Sequence, residues 1–287
     1  MDASRFAIDT APLQGKLQDK LQAMSAAGFS RLTLWAQDLM NEQEGGLAQT
    51  VRTVRHSGMK VIGFEALRDF EGMSGRFLEY KIDLAKTMMR MMQQVGAELL
   101  VVSATTSPNA VGDLETTAAH LRLLSTLATP LGIRIGFEPL AWGRYVHDYH
   151  AAWQVVEMVN RQNVGLVLDS FHLFARGIPL DDLYRIPMHK LFLVQLSDAM
   201  SDYLPLLEEM VHISRHQRSF PGEGVHSMAV VDMLVRLEMA GYQGNYAFEV
   251  ANDEFLSQDA HSVASRAARS VDWLCRTVSQ RLQDSGC

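Results

Sequence analysis

Cysteine is nearly missing from this chain. It has two, Cys275 and Cys287, both close to the C-terminus. That excludes a disulfide framework and a metal–thiolate site. Cys275 falls in a helical pattern and reads as a small core residue, and Cys287 as a loose terminal one. Basic charge is also short: 26 Lys and Arg stand against 33 Asp and Glu, for a net charge of −7. A nucleic-acid protein would usually show a basic patch or a high pI, so nucleic-acid partners are not expected. A small anionic substrate remains compatible, because one pocket can be locally basic. No apolar run approaches the roughly 18 residues of a membrane span. The N-terminus shows no basic region followed by an apolar one, so no signal peptide is read there. A soluble, cytoplasmic protein without membrane partners is the expectation. The sequence also lacks linkers, low-complexity tracts and charge blocks.

What is present is a regular alternation of short apolar strands with amphipathic helices. Strands are expected at Phe6–Asp9, Arg31–Trp35, Lys60–Glu65, Leu99–Ser103, Ile133–Glu138, Val164–Asp169, Leu191–Leu196 and Tyr246–Glu249. Helices are expected over Leu13–Gly28, Leu47–Gly58, Arg76–Gly96, Leu114–Pro130, Tyr149–Asn160, Leu180–Ile186, Met228–Gly241 and Ala260–Leu282. Glycines 28, 58 and 96 serve as helix stops. Met88, Met89, Met91 and Met92 read as adaptable core filler. Strand–helix alternation implies parallel strands joined by right-handed crossovers. Eight such units in 287 residues point to a single (β/α)8 TIM barrel occupying residues 1–287. The competing doubly wound sheet would carry a glycine-rich phosphate turn after its first strand. Here that turn is Asp9-Thr10-Ala11-Pro12-Leu13. The stretch between the seventh and eighth strands is unusually long, and a long loop in a compact domain is usually functional.

Active sites of such barrels lie at the C-terminal ends of the strands. The fifth strand ends in Glu138, the sixth in Asp169, the seventh near Gln195 and the eighth in Glu249. Neighbouring strands are about 4.8 Å apart, so these four side chains can converge. Three carboxylates forced together repel one another unless a cation joins them. All four groups offer oxygen, which favours a hard divalent ion, Mg²⁺ or Mn²⁺, with Co²⁺ as a further option, over Zn²⁺. The plainer alternative is that these acids are helix caps or ion-pair partners, which any barrel has; four on adjacent strands weigh against it. His172, three residues past Asp169, is the candidate proton-transfer residue, a base near neutral pH beside the cation. Arg68, Arg144, Ser214, Arg215 and Arg218 follow strand ends or lie in the long loop. Arginine suits bidentate carboxylate binding, so these five are candidate substrate-binding residues. The plainer reading of the long loop is a solvated connection.

With those residues in place, the chain resembles the xylose-isomerase-like barrels, the sugar phosphate isomerase/epimerase superfamily. Within it the similarity is densest to the bacterial 3-dehydroshikimate dehydratase branch. The stretches that carry the resemblance are Arg68-Asp69-Phe70-Glu71-Gly72, Glu138 to Arg144, Leu168 to His172, Val194 to Ala199, Ser214 to Gly224 and Phe248 to Asp253. The superfamily commonly has a histidine where Gln195 stands. Gln195, Trp142-Gly143-Arg144 and Ser214-Arg215-His216-Gln217-Arg218 point to the dehydratase branch. The resemblance implies metal ligands at Glu138, Asp169, Gln195 and Glu249, and His172 as the proton carrier. It implies Arg68 with Arg215 or Arg218 on a substrate carboxylate. The implied reaction is loss of water from 3-dehydroshikimate to give protocatechuate. The likeness thins in the N-terminal half: Thr33-Leu34-Trp35-Ala36-Gln37 and Glu65-Ala66-Leu67 stand where the family usually has a Glu-x-Phe-Glu-like run and Gln-Pro-Phe. Two other functions compete: a ketose or cyclitol isomerase or epimerase with Glu138 and Glu249 as bases, and a non-catalytic barrel binding a small acid. A homo-oligomer is compatible with all three.

Overall fold

In the computed structural model, residues 1–201 and 206–284 are described. Cys287 lies outside them. Eight parallel strands close into a barrel: β1 (Phe6–Asp9), β2 (Arg31–Trp35), β3 (Lys60–Arg68), β4 (Leu99–Ser103), β5 (Arg134–Glu138), β6 (Val164–Asp169), β7 (Leu191–Leu196) and β10 (Asn245–Phe248), with β1 sealing the barrel against β10. A separate two-stranded antiparallel hairpin, β8 (Asp198–Ala199) and β9 (Arg218–Ser219), sits between β7 and β10. The helices are α1 (Leu17–Ala26), α2 (Ala36–Leu39), α3 (Gly46–Ser57), α4 (Gly75–Val95), α5 (Leu114–Ala128), α6 (Tyr149–Val159), α7 (Ser170–Ala175), α8 (Leu207–His216), α9 (Ser227–Met239) and α10 (Ala260–Asp284). Among the described residues no helix is long and apolar enough to cross a membrane.

The period of two along each strand sorts side chains into two cores. Ile8, Leu32, Leu34, Phe64, Leu100, Val102, Phe137, Leu166, Leu168, Val194, Leu196 and Phe248 face outward and pack on the helices. Ala7, Ile62, Leu99, Val101, Val167, Leu193 and Ala247 fill the barrel interior. Met88, Met89, Met91 and Met92 are all buried in the outer layer, as their helical spacing suggests. Cys275 is partly buried against that layer.

The same period fixes the mouth. Residues two steps beyond the interior layer point into the open end of the barrel. Asp9 follows Ala7, Ser103 follows Val101, Asp169 follows Val167, Gln195 follows Leu193 and Glu249 follows Ala247. Register holds neighbours level at two seams, Ser103 with Glu138 and Asp169 with Gln195, whereas Gln195 pairs with Ala247, one layer below Glu249.

Two elements depart from the sequence reading. The helix expected over Leu180–Ile186 is only a short 3-10 turn at Leu183–Arg185. The helix of that unit starts directly at the strand end, as α7, because the Asp169 carboxylate accepts from the Phe171 amide and caps it. Gly177 then takes a left-handed φ of 59°, and Pro179 prevents a return to helix. The long β7–β10 connection, expected as a loop, contains α8 and the β8–β9 hairpin. So Ser214 and Arg215 are helical and Arg218 is in a strand.

Candidate active site

The barrel mouth opens into a cleft of about 300 Å³. Trp35 and Trp142 form part of its walls, with Arg68 and Arg215 at its exposed rim and Glu138, His172 and Glu249 deeper in. Ser103 Oγ donates to Glu138 Oε2 at 2.7 Å. Asp169 Oδ1 is occupied by the α7 cap, and Oδ2 accepts from Arg218 Nη1 at 2.7 Å. The same Nη1 lies 3.5 Å from Glu249 Oε2. Among the described residues, two buried oxygens of these strand-end groups have no hydrogen-bond partner: Gln195 Oε1 and Glu249 Oε2. Unpartnered buried acceptors are costly, and both belong to the four strand-end groups that the sequence assigns to a cation.

Glu138, Asp169 and His172 bring one donor atom each within 4.8 Å of one another, a spacing suited to a metal ion. His172 Nε2 stands 3.5 Å from Asp169 Oδ2 and 3.9 Å from Glu138 Oε1. The Ala141 amide donates to His172 Nδ1 at 3.1 Å. A nitrogen that accepts from an N–H carries no proton, so the neutral ring holds its hydrogen on Nε2, aimed at the acids. Trp142 packs edge-on against the ring at 4.8 Å. The sequence reading expects a base near neutral pH. Burial lowers His172 to about 4, which keeps the ring uncharged; Asp169 pulls the other way without cancelling it. The ring is therefore neutral at pH 7.

The acids around it are pushed up. Burial, then the charge of Asp169, raises Glu138 to about 7. Burial also holds Glu249 well above the usual carboxylate range, against the pull of Arg218. A cation among them would reverse that preference for the protonated form. The donor set, the two unpartnered oxygens and this mutual repulsion all fit a divalent metal.

Sequence reasoning passed over Asp9 and Trp35, and marked Glu65 only as a departure from the family pattern that adds negative charge to the pocket. Asp9 is fully buried and accepts from Trp35 Nε1 at 2.8 Å, Thr33 Oγ1 and the Ala11 amide; burial raises it to about 6. Glu65 is buried in the cleft wall and pushed well above the ordinary range by burial, then by Glu249, Asp9 and Glu138. Trp35 is tied down by Asp9 and carries the Arg68 guanidinium over its ring at 5.3 Å. The period-two rule could have found Asp9 and Trp35. The irregular register between β3 and β4 hides Glu65 from it.

The candidate substrate-binding residues separate into three groups. Arg68 and Arg215 line the cleft and have no ion pair among the described residues. Arg218 and Ser214 also line it, but their polar groups are engaged: Arg218 Nε donates to the Ser214 carbonyl and Nη2 to Ser214 Oγ. Its charge is spent on Asp169 and Glu249, so it serves the acids rather than a free substrate carboxylate. Arg144 is exposed away from the cleft, its Nε donating to Tyr145 Oη and its guanidinium lying on that ring.

A closed (β/α)8 barrel with a carboxylate-rich, metal-compatible mouth defines a class of barrel proteins. The chain belongs to the xylose isomerase-like TIM barrel family, whose pattern matches residues 21–277. It is 34% identical over 96% of its length to 3-dehydroshikimate dehydratases of Pseudomonas aeruginosa and Pseudomonas putida. The chain spans only 42% of the length of those relatives. An inosose isomerase of Halalkalibacterium halodurans is 29% identical over 50% of this chain and 49% of its own. Among solved structures, a xylose isomerase-like TIM barrel/4-hydroxyphenylpyruvate dioxygenase fusion protein superposes with a TM-score of 0.89 at 32% identity, over 98% of this chain and 44% of that one. The IOLI protein with a binding zinc atom superposes with a TM-score of 0.82 at 21% identity, over 96% and 98%; that likeness speaks for the fold.

Proposed function

We propose that this barrel is a divalent-metal-dependent dehydratase, a lyase that converts 3-dehydroshikimate to protocatechuate and water. One observation carries the reading. A proton-bearing His172 Nε2 faces the acid cluster, in a cleft whose rim holds two arginines, Arg68 and Arg215, without ion pairs among the described residues. Guanidiniums without such ion pairs suit a carboxylate-bearing substrate better than a neutral sugar. The named activity of the two Pseudomonas relatives supports the same choice.

In this reading Glu138, Asp169, Gln195 and Glu249 hold Mg²⁺ or Mn²⁺, with Co²⁺ as a further option. When bound, such a cation supplies Lewis acidity that favours negative charge on a substrate ketone oxygen. Arg68 and Arg215 bind and orient the carboxylate at the rim. Trp35 and Trp142 wall the cleft and limit water. Ala141 fixes the His172 ring with Nε2–H toward the acids. Glu138, 3.9 Å from Nε2, takes the proton leaving the carbon beside the ketone. It passes that proton to Nε2 as Nε2 gives its own proton to the departing hydroxyl, which leaves as water. Arg218 offsets one of the three ligand carboxylate charges. Residues 1–287 act in this reading as one catalytic domain on a small anionic substrate.

The test is incubation of the purified chain with 3-dehydroshikimate and Mn²⁺ or Mg²⁺, following the aromatic product by its ultraviolet absorbance. Product formation that chelator abolishes is expected. No product with either metal at high protein concentration overturns the assignment.

A further inference from the structure

Gln195 is the uncharged member of the proposed ligand set. An amide offers a cation only its oxygen, because the nitrogen end carries two hydrogens. Which end is turned toward the cation therefore matters as much as the residue's position. Gln195 Nε2 donates to Glu65 Oε1 at 3.1 Å, and the other end, Oε1, is buried with no hydrogen-bond partner. Among the described residues that bond is the one hydrogen bond of the Gln195 side chain. Glu65 reaches it from β3, on another part of the barrel wall, 130 residues away in sequence.

Glu65 is a poor choice for stability. It is 1% exposed and shares the mouth with Asp9, Glu138 and Glu249. An apolar residue of the same size would avoid both the desolvation and the repulsion. Its place in the wall needs a reason other than packing.

We propose that Glu65 is a positioning residue that sets the orientation of the Gln195 amide, keeping its carbonyl oxygen available as a cation ligand. The inference rests on the reading of Glu138, Asp169, Gln195 and Glu249 as the cation site. Without the Glu65 acceptor, the amide turns freely and presents N–H₂ to the cation part of the time. Partners behind metal ligands typically alter affinity by about 10- to 100-fold when removed.

The experiment measures Mn²⁺ affinity of the metal-free chain by isothermal titration, with melting temperature as the control for folding. Glu65→Gln keeps an acceptor oxygen but removes the charge; Glu65→Leu removes both. Glu65→Gln should bind Mn²⁺ within about twofold of the parent. Glu65→Leu should bind about 10- to 100-fold more weakly, while its metal-free melting temperature holds or rises. With Gln195→Glu, either end of that side chain is an oxygen. Adding Glu65→Leu to that background should then change affinity by no more than about twofold. The inference is overturned if Glu65→Leu binds like the parent, or if Glu65→Gln is as weak as Glu65→Leu, which would make charge the cause. Should Glu65→Leu fail to fold, an unequal effect of Glu65→Gln in the parent and Gln195→Glu backgrounds overturns it, and an equal, small one supports it. A parent chain that binds no Mn²⁺ overturns the cation site itself, a separate outcome from Glu65 having no effect.

Discussion

His172 combines burial, a fixed tautomer and contact with two acids in one side chain. Its Nδ1 is committed to Ala141 and its Nε2 to the acid cluster. A proton-transfer residue is typically worth about 10²- to 10⁴-fold in rate. His172→Ala should therefore lower kcat for the proposed dehydration by that order while Mn²⁺ binding, read by titration, survives. Loss of metal binding together with activity would assign His172 to the ligand set, which its distance to Asp169 and Glu138 also permits. The rim arginines make a second expectation at this scale. Charge-assisted hydrogen bonds contribute about 1.5–3 kcal/mol. Arg68→Met or Arg215→Met should raise KM about 10- to 100-fold. Arg144→Met should leave KM unchanged, since its guanidinium rests on Tyr145 outside the cleft. A large KM effect at Arg144 would contradict that placement. Asp169 and Gln195 were legible from sequence because each ends an apolar run. The commitment of Arg218 to Asp169, at a separation of 49 residues, and to Glu249 was not, because the intervening chain carries no mark of those contacts.

At the scale of elements, β6 and α7 act as one device. The strand delivers Asp169 inward, and the same carboxylate starts the helix that presents His172 one turn later. This depends on tight packing below. A Cβ on Gly165 would collide with the Lys190 carbonyl and lie 2.8 Å from the Phe192 ring. Gly165→Ala should thus cost about 1–3 kcal/mol of stability by overpacking, seen as a lower denaturant midpoint with an unchanged slope. A neutral result would mean the β6–β7 seam yields easily. Most strands were legible from their apolar runs, and most helices from their amphipathic spacing and stops. The Leu180–Ile186 helix was misplaced because a side-chain cap three-dimensionally joined to a strand end outranked local propensity. The hairpin β8–β9 escaped notice because two-residue strands have no period to read. Its partners, Asp198–Ala199 and Arg218–Ser219, meet only once the connection folds back.

For the whole molecule, the excess of acid that the composition shows is concentrated where it is least comfortable. Asp9, Glu65, Glu138, Asp169 and Glu249 share one mouth with Arg218 buried among them. Glu138 and, in the β3–α4 connection, Glu71 titrate near 7 in the folded chain, both raised chiefly by burial. An acid with a raised folded pKa holds its proton longer folded than unfolded, so folding is disfavoured as pH rises through that value. His172, lowered to about 4, adds stability as pH rises to its unfolded value near 6.5 and nothing beyond. Between about pH 5 and 7, from the unfolded carboxylate values up to the folded ones, the metal-free chain should therefore lose stability, the raised acids outweighing His172, and its melting temperature should fall before levelling off. Saturating Mn²⁺ should flatten or reverse that slope, adding about 2.7 kcal/mol at a hundred times Kd. A metal-free melting curve that rises over this range would show that the mouth is not acid-strained. The sequence by itself determined the barrel, since alternating runs and amphipathic helices are local patterns that admit few topologies, and it determined which acids end which strands. Only the tertiary structure decided what those acids meet. Closure of β1 on β10 brings residues from opposite ends of the chain into one low-dielectric mouth. There, hydrogen bonds such as Glu65 to Gln195 and Arg218 to Asp169 depend on distances in space that no spacing along the chain encodes.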